Sequence, residues 1–208
     1  MVLAGIIISY LVGSIPTAYI LGRILKKIDI REYGSGNVGA TNAFRVLGPR
    51  VGIIVLITDI IKGIIPVTFL AHYLLNYLDF SPVLLRILLG IACICGHNWT
   101  VFLRFRGGKG VATTIGALAG LGMVIIELRL VLCLVILVWL VTFLIFRFVS
   151  LASILSAIAL PFLMLILTNS KELLIFSIIL SIFIVIRHKA NLIGLFRRQE
   201  QPFSFKRR

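Results

Sequence analysis

The chain has 208 residues, 60% of them hydrophobic and only 13% charged, and its mean hydropathy is +1.14. A water-soluble globular domain is excluded, because too little polar surface would remain to face water. The 21 Lys and Arg against 7 Asp and Glu leave a net charge of +14; in a soluble protein that would suggest nucleic acid, but in a membrane protein it is a topology signal, and no nucleic-acid partner is expected.

A helix needs about 20 apolar residues to cross a hydrocarbon core of about 30 Å. Seven such runs are predicted, at 3–22, 51–75, 83–103, 112–127, 130–146, 151–168 and 171–186. Only Glu127 to Arg129 separates the fourth from the fifth. The expected fold is an all-α integral membrane protein, seven transmembrane helices with glycine-rich cytoplasmic loops, in a single transmembrane domain over 1–208. Six Lys and Arg fall at 23–50, three at 104–110, one at 147–150 and seven in the tail from Arg187. The intervening loops at 73–82, 127–129 and 169–172 carry zero, one and one. Seven crossings alternate those two sets, so the positive-inside rule puts the N-terminus outside and the basic loops and tail in the cytoplasm. No Lys or Arg precedes Arg23 and no small-residue cleavage site follows the first run, so that run reads as a retained helix. Cys93, Cys95 and Cys133 lack metal-ligand spacing and read as buried thiols. Gly116 and Gly120 form a GxxxG, read as a helix-packing face.

The polar residues collect at the cytoplasmic ends of these runs. The first cluster is GSGNVGATN, 34–42, with Arg45. Its glycines, Gly34, Gly36 and Gly39, let the backbone approach a ligand, and successive amides in such a turn form an anion nest. Ser35, Thr41 and Asn42 add side-chain donors, and Arg45 a planar cationic fork suited to phosphate. A flexible loop would need no such density of asparagines. Inside the second run Asp59 and Lys62 stand three apart on one helical face, where they neutralise each other and support the site from behind. The second cluster is GHNWTVFLRFRGGKGVATT, 96–114. Gly107, Gly108 and Gly110 are expected to expose backbone amides around Lys109 at the start of a helix, with Thr113 just beyond. Walker A spacing is absent. Arg104 and Arg106 fit a patch for anionic lipid. His97 opens the cluster. Ser150 lies in the next inner loop, and RHKAN, 187–191, puts Asn191 near His188 at the end of the last run. No carboxylate and histidine group has metal-ligand spacing, so neither a metal nor any other cofactor is expected.

GSGNVGATN with Arg45, GHNWTVFLRFRGGKGVAT, and His188 with Asn191 together resemble the motifs of the bacterial acyl-phosphate:glycerol-3-phosphate acyltransferases, over nearly the whole chain. Val38 and Thr100 stand where that family carries prolines, Gly194 where an arginine is usual, and Glu200 about one residue beyond the usual glutamate. The resemblance implies an enzyme of the bacterial inner membrane. It would transfer a fatty acyl group from acyl phosphate to the 1-hydroxyl of glycerol 3-phosphate, giving lysophosphatidic acid. It implies Lys109, Arg45, His188 and Asn191 as catalytic residues. The expected substrate contacts are Gly34, Ser35, Gly36, Asn37, Gly39, Thr41, Asn42, His97, Gly107, Gly108, Gly110, Thr113 and Ser150. The partners are the two substrates and the lipid bilayer; the oligomeric state stays open, a monomer being sufficient. The competing reading is a transporter or channel for a phosphate-bearing anion, whose site belongs near the midplane and open to both sides. The proton of the attacking hydroxyl has His97, His188 or the substrate as acceptor. The reading takes the acyl phosphate's own oxygen, with His188 and Asn191 holding phosphate or glycerol in place.

Overall fold

A computed structural model describes residues 1–203; Lys206, Arg207 and Arg208 of the basic tail lie outside the described residues. Among the described residues there is no strand. The helices are α1 (Val2–Ser14), α2 (Thr17–Lys26), α3 (Ala40–Leu47), α4 (Pro49–Ile65), α5 (Ala71–Leu75), α6 (Pro82–Asn98), α7 (Val111–Gly122), α8 (Glu127–Phe146), α9 (Val149–Leu167), α10 (Lys171–Arg187) and α11 (Lys189–Phe196). The chain divides into two compact units, Met1–Leu121 and Gly122–Arg208.

Five helical stretches of the described residues are long and apolar enough to cross a membrane: Val2–Lys26, Pro49–Leu75, Pro82–Leu103, Glu127–Phe146 and Val149–Leu167. A sixth follows if α10 and α11, bent by 57° at His188, are one span. The expected count of seven is therefore not reached by length. The difference lies at the fourth run: α7 has 12 residues, about 18 Å at 1.5 Å per residue, well short of about 30 Å. The apolar sequence continues past Gly122, but the helix does not.

In the first unit, α1 and α2 form one span with a break whose cause is readable. Pro16 lacks an amide hydrogen and pushes the residue before it out of the helical region. Ile15 accordingly has ψ 112°. Carbonyls freed by such a break need donors inside a membrane. The Thr100 hydroxyl donates to the Ser14 carbonyl at 2.6 Å and the Lys62 ammonium to the Ile15 carbonyl at 3.1 Å. Glycines bring the helices together. A Cβ on Gly13 would collide with the Cys93 carbonyl of α6, and one on Gly96 with the Tyr10 carbonyl of α1. The same device joins α7 to α4, where a Cβ on Gly116 would meet the Ile60 carbonyl. At Gly120 a Cβ would come 3.3 Å from Val67 and Thr68, so the GxxxG does serve packing.

In the second unit, α8 and α9 form a hairpin through Arg147, which is left-handed at φ 62°, and α10 packs on α9. The Trp139 indole donates to the Ser153 hydroxyl at 3.2 Å across the hairpin. The Phe203 amide donates to the Arg147 carbonyl at 2.8 Å, and its ring stands edge-on to Phe143. Only one of the three cysteines is buried, Cys93; Cys95 is partly buried and Cys133 exposed on α8, correcting the expectation for those two.

Candidate active site

The first glycine turn is built around Asn42. Its side-chain oxygen accepts the Ser35 amide at 2.9 Å, and its nitrogen lies 3.3, 3.1 and 2.9 Å from the carbonyls of Ile30, Tyr33 and Asn37. Asn42 is buried, so it is the turn's staple; its donors are spent on the loop and not offered to a ligand, as sequence had suggested. The Asn37 side-chain oxygen similarly accepts the Gly39 amide at 2.9 Å. Gly34 and Gly36 have φ of 62° and 69°, conformations that any Cβ makes costly. What the turn does present is exposed Ser35, partly buried Thr41 and exposed Arg45. Helix α3 has Gly39 as its N-cap and no side-chain cap, which leaves the amides of its first turn without intrahelical acceptors. No ion pair engages Arg45 among the described residues.

An ionic knot precedes this turn. The Asp29 carboxylate accepts from Arg31 at 2.7 and 3.0 Å and from Arg23 at 3.2 Å. The Arg31 guanidinium holds the Asp29 carboxyl down at about 2 against burial, and is itself raised. Both guanidiniums also stand over the Tyr19 ring, at 5.3 and 5.2 Å. Sequence alone assigns no part to this knot; DIRE, 29–32, just ahead of the glycine turn, is its only signal.

The second turn lies on the end of α6. The Gly108 amide donates to the His97 carbonyl at 2.9 Å and the Gly107 amide to the Asn98 carbonyl at 3.2 Å. Those two amides are therefore not displayed to an anion, contrary to expectation. The glycines are required by closeness: a Cβ on Gly108 would strike the His97 imidazole at Nε2, and one on Gly107 the His97 carbonyl. Gly110 has φ 80° and lies so that a Cβ would be 2.8 Å from the Asn98 side-chain oxygen. His97 is buried under the turn. The Asn98 side chain is fully buried, and neither of its polar atoms has a hydrogen-bond partner among the described residues. Thr113, expected at the substrate, is fully buried where α7 meets Gly63 of α4. Lys109 is partly buried, whereas Arg104 and Arg106 are exposed. A narrow cavity nearby is lined by Ser14, Ile15, Val38, Asp59, Lys62, His97 and Thr100, among others.

In the second unit Ser150 and Asn191 converge on one acceptor. The Ser150 hydroxyl donates to Glu200 Oε1 at 2.6 Å, and the Asn191 amide to the same oxygen at 2.8 Å. Glu200, unassigned by sequence, is the hub of the tail cluster. His188 is buried, its Nδ1 2.8 Å from the Ile184 carbonyl. A carbonyl only accepts, so Nδ1 carries the proton and Nε2 is the basic nitrogen of the neutral ring. Among the described residues no three His, Cys, Asp or Glu side chains gather as a metal set.

Comparison with known proteins supplies the family. The model of a family described as glycerol-3-phosphate acyltransferase matches residues 3–198. The chain is 42% identical to the glycerol-3-phosphate acyltransferase of Chlorobium chlorochromatii, over 98% of this chain and 97% of that protein. It is also 42% identical to that of Endomicrobium trichonymphae, over 94% and 92%. Among solved structures it resembles PlsY, an integral membrane glycerol 3-phosphate acyltransferase, in its glycerol 3-phosphate form, with TM-score 0.86 and 34% identity over 98% of this chain and 96% of that one. The lysophosphatidic acid form of PlsY matches with TM-score 0.83 and 33% identity over the same shares.

Proposed function

This chain belongs to the glycerol-3-phosphate acyltransferase family, and on that premise we propose that it acylates the 1-hydroxyl of glycerol 3-phosphate with acyl phosphate as donor. The hydroxyl oxygen attacks the acyl carbonyl carbon, the bond from that carbon to the phosphate oxygen breaks, and inorganic phosphate leaves with the hydroxyl proton. The product is 1-acyl-glycerol 3-phosphate, a lysophosphatidic acid. The observation that carries the reading is a pair of cation-bearing glycine turns, each locked by its own hydrogen bonds: the Asn42-stapled turn before Arg45 and the α6-docked turn around Lys109. Two phosphates in one reaction need two such anchors, and preorganised donors spend no free energy on rearrangement as charge develops. Arg45 holds one phosphate and Lys109 the other. His188 and Asn191 hold phosphate or glycerol, and the leaving phosphate is the proton acceptor, since nucleophile and leaving group are already adjacent.

The membrane is the bacterial inner membrane, with α7 counted as a short crossing, the N-terminus outside and the cationic turns at the cytoplasmic face, where a soluble dianion meets a lipid-borne donor. Transport is disfavoured because the deep Lys62 ammonium is closed in by Asp59 at 2.8 Å and by the Ile15 carbonyl. The test is direct. Purified protein in detergent, given acyl phosphate and glycerol 3-phosphate, is expected to form lysophosphatidic acid and phosphate one to one. Formation from acyl-coenzyme A alone, with acyl phosphate inert, would reject the donor.

A further inference from the structure

We propose that Asp59 is a positioning residue for the Lys109 turn and acts through His97; the proposal rests on the reading that this turn holds a substrate phosphate. Asp59 and Lys62 are buried on α4 and joined at 2.8 Å. Lys62 already has a structural task, closing the end of α1 that Pro16 breaks, where a cation also meets the negative pole of the helix. Asp59 has a second neighbour besides Lys62: His97 Nδ1 lies 3.7 Å from the same carboxylate oxygen.

The two edges of that imidazole face different things. One looks at Asp59. The other, Nε2, lies against Gly108, so closely that even a methyl group there has no room. The backbone of the same residue carries the turn, because the His97 carbonyl accepts the Gly108 amide at 2.9 Å. His97 is thus both the shelf and the wedge of the turn that sets Lys109, and rotation of its ring would push Gly108 directly. At 3.7 Å the contact is electrostatic and not a hydrogen bond; the carboxylate's charge draws the Nδ1 edge of the ring towards itself and so biases the ring's orientation. Asp59 is the counter-ion that lets the Lys62 ammonium stay buried against the Ile15 carbonyl, and the same carboxylate oxygen is the one that faces His97.

The test separates aiming from mere support. Asp59→Asn keeps an acceptor for Lys62 at nearly the same volume but removes the charge facing both Lys62 and His97, so His97→Gln, which leaves the Asp59–Lys62 pair intact, is measured beside it. The kcat/KM of Asp59→Asn is expected to fall about 10- to 100-fold, the size of loss that a misplaced group brings. Hydrogen exchange of the purified protein in detergent is then read by mass spectrometry. The expected gain in exchange is confined to peptides covering 97–110, with α1 and α4 as protected as in the parent. His97→Gln, which keeps the backbone shelf but not the ring, should give the same confined pattern and serves if Asp59→Asn does not fold. Unchanged exchange at 97–110, or equal loosening of 97–110, α1 and α4, would overturn the proposal. An active Lys109→Ala variant would instead defeat the phosphate reading on which it rests, a separate outcome.

Discussion

Lys109 and Arg45 differ from their basic neighbours in what surrounds them. Lys109 is partly buried in a turn whose neighbouring amides are tied to His97 and Asn98, while Arg104 and Arg106 are exposed on the preceding bend. Arg45 is exposed, but it follows the turn that Asn42 staples at four backbone groups. Lys109→Ala and Arg45→Ala are each expected to lose about 100-fold or more in kcat with folding retained, the loss typical of one preorganised charged contact. Arg104→Ala and Arg106→Ala should change it little, and equal small losses at all four would mark a diffuse lipid patch. His188 is the next residue to examine, because its Nε2 is the basic nitrogen of the neutral ring. His188→Gln should lower turnover yet keep the parent pH–rate profile, the substrate phosphate being the base. If the parent shows an acid-side limb, the rate falling below pH about 6.5, the ordinary histidine value, and that limb vanishes with His188, the histidine takes the proton instead.

Among the elements, the segment that links α2 to α3 holds its shape by charge before it holds it by helix. Asp29 accepts from two guanidiniums, and its carboxyl binds a proton more weakly folded than unfolded, at about 2 against an ordinary 3.8. That contribution is complete above about pH 4 and is lost as pH falls through about 2. Acid is therefore expected to loosen residues 29–42 over this window, seen as faster hydrogen exchange there in protein held at successive pH values. Asp29→Asn should remove the pH dependence and leave the segment loose at neutral pH; an unaltered profile would deny the knot its role. The glycine turns themselves divide by cause. In the first, backbone conformation demands glycine at 34 and 36. In the second, only Gly110 does so by conformation, while Gly107 and Gly108 are demanded by the His97 carbonyl and ring. Sequence shows both as glycine runs and cannot distinguish the reasons.

At the scale of the whole molecule, the orientation in the membrane follows from which loops carry the basic residues. With α7 counted as a crossing, a single cysteine at position 79 should react from outside intact cells with an impermeant reagent, and one at position 201 only after permeabilisation. The reverse pattern would invert the orientation. Hydropathy and the alternation of basic loops were enough for a helical membrane protein, and the two long motifs for its family, because membrane insertion and turn geometry depend on residues close together in the chain. The position of Pro16 likewise makes the break in the first span legible. Other features required partners far apart in sequence. Ser14 meets Thr100, Lys62 meets Ile15, and Ser150 and Asn191 meet on Glu200. No periodicity reports such pairs. Nor does composition reveal that α7 stops at 12 residues, that the Gly107 and Gly108 amides are turned inward, or that Thr113 lies buried in a helix contact. Each of these depends on which surface a residue meets once the helices pack, and that is decided by tertiary contacts and not by the residue's own neighbours in the chain.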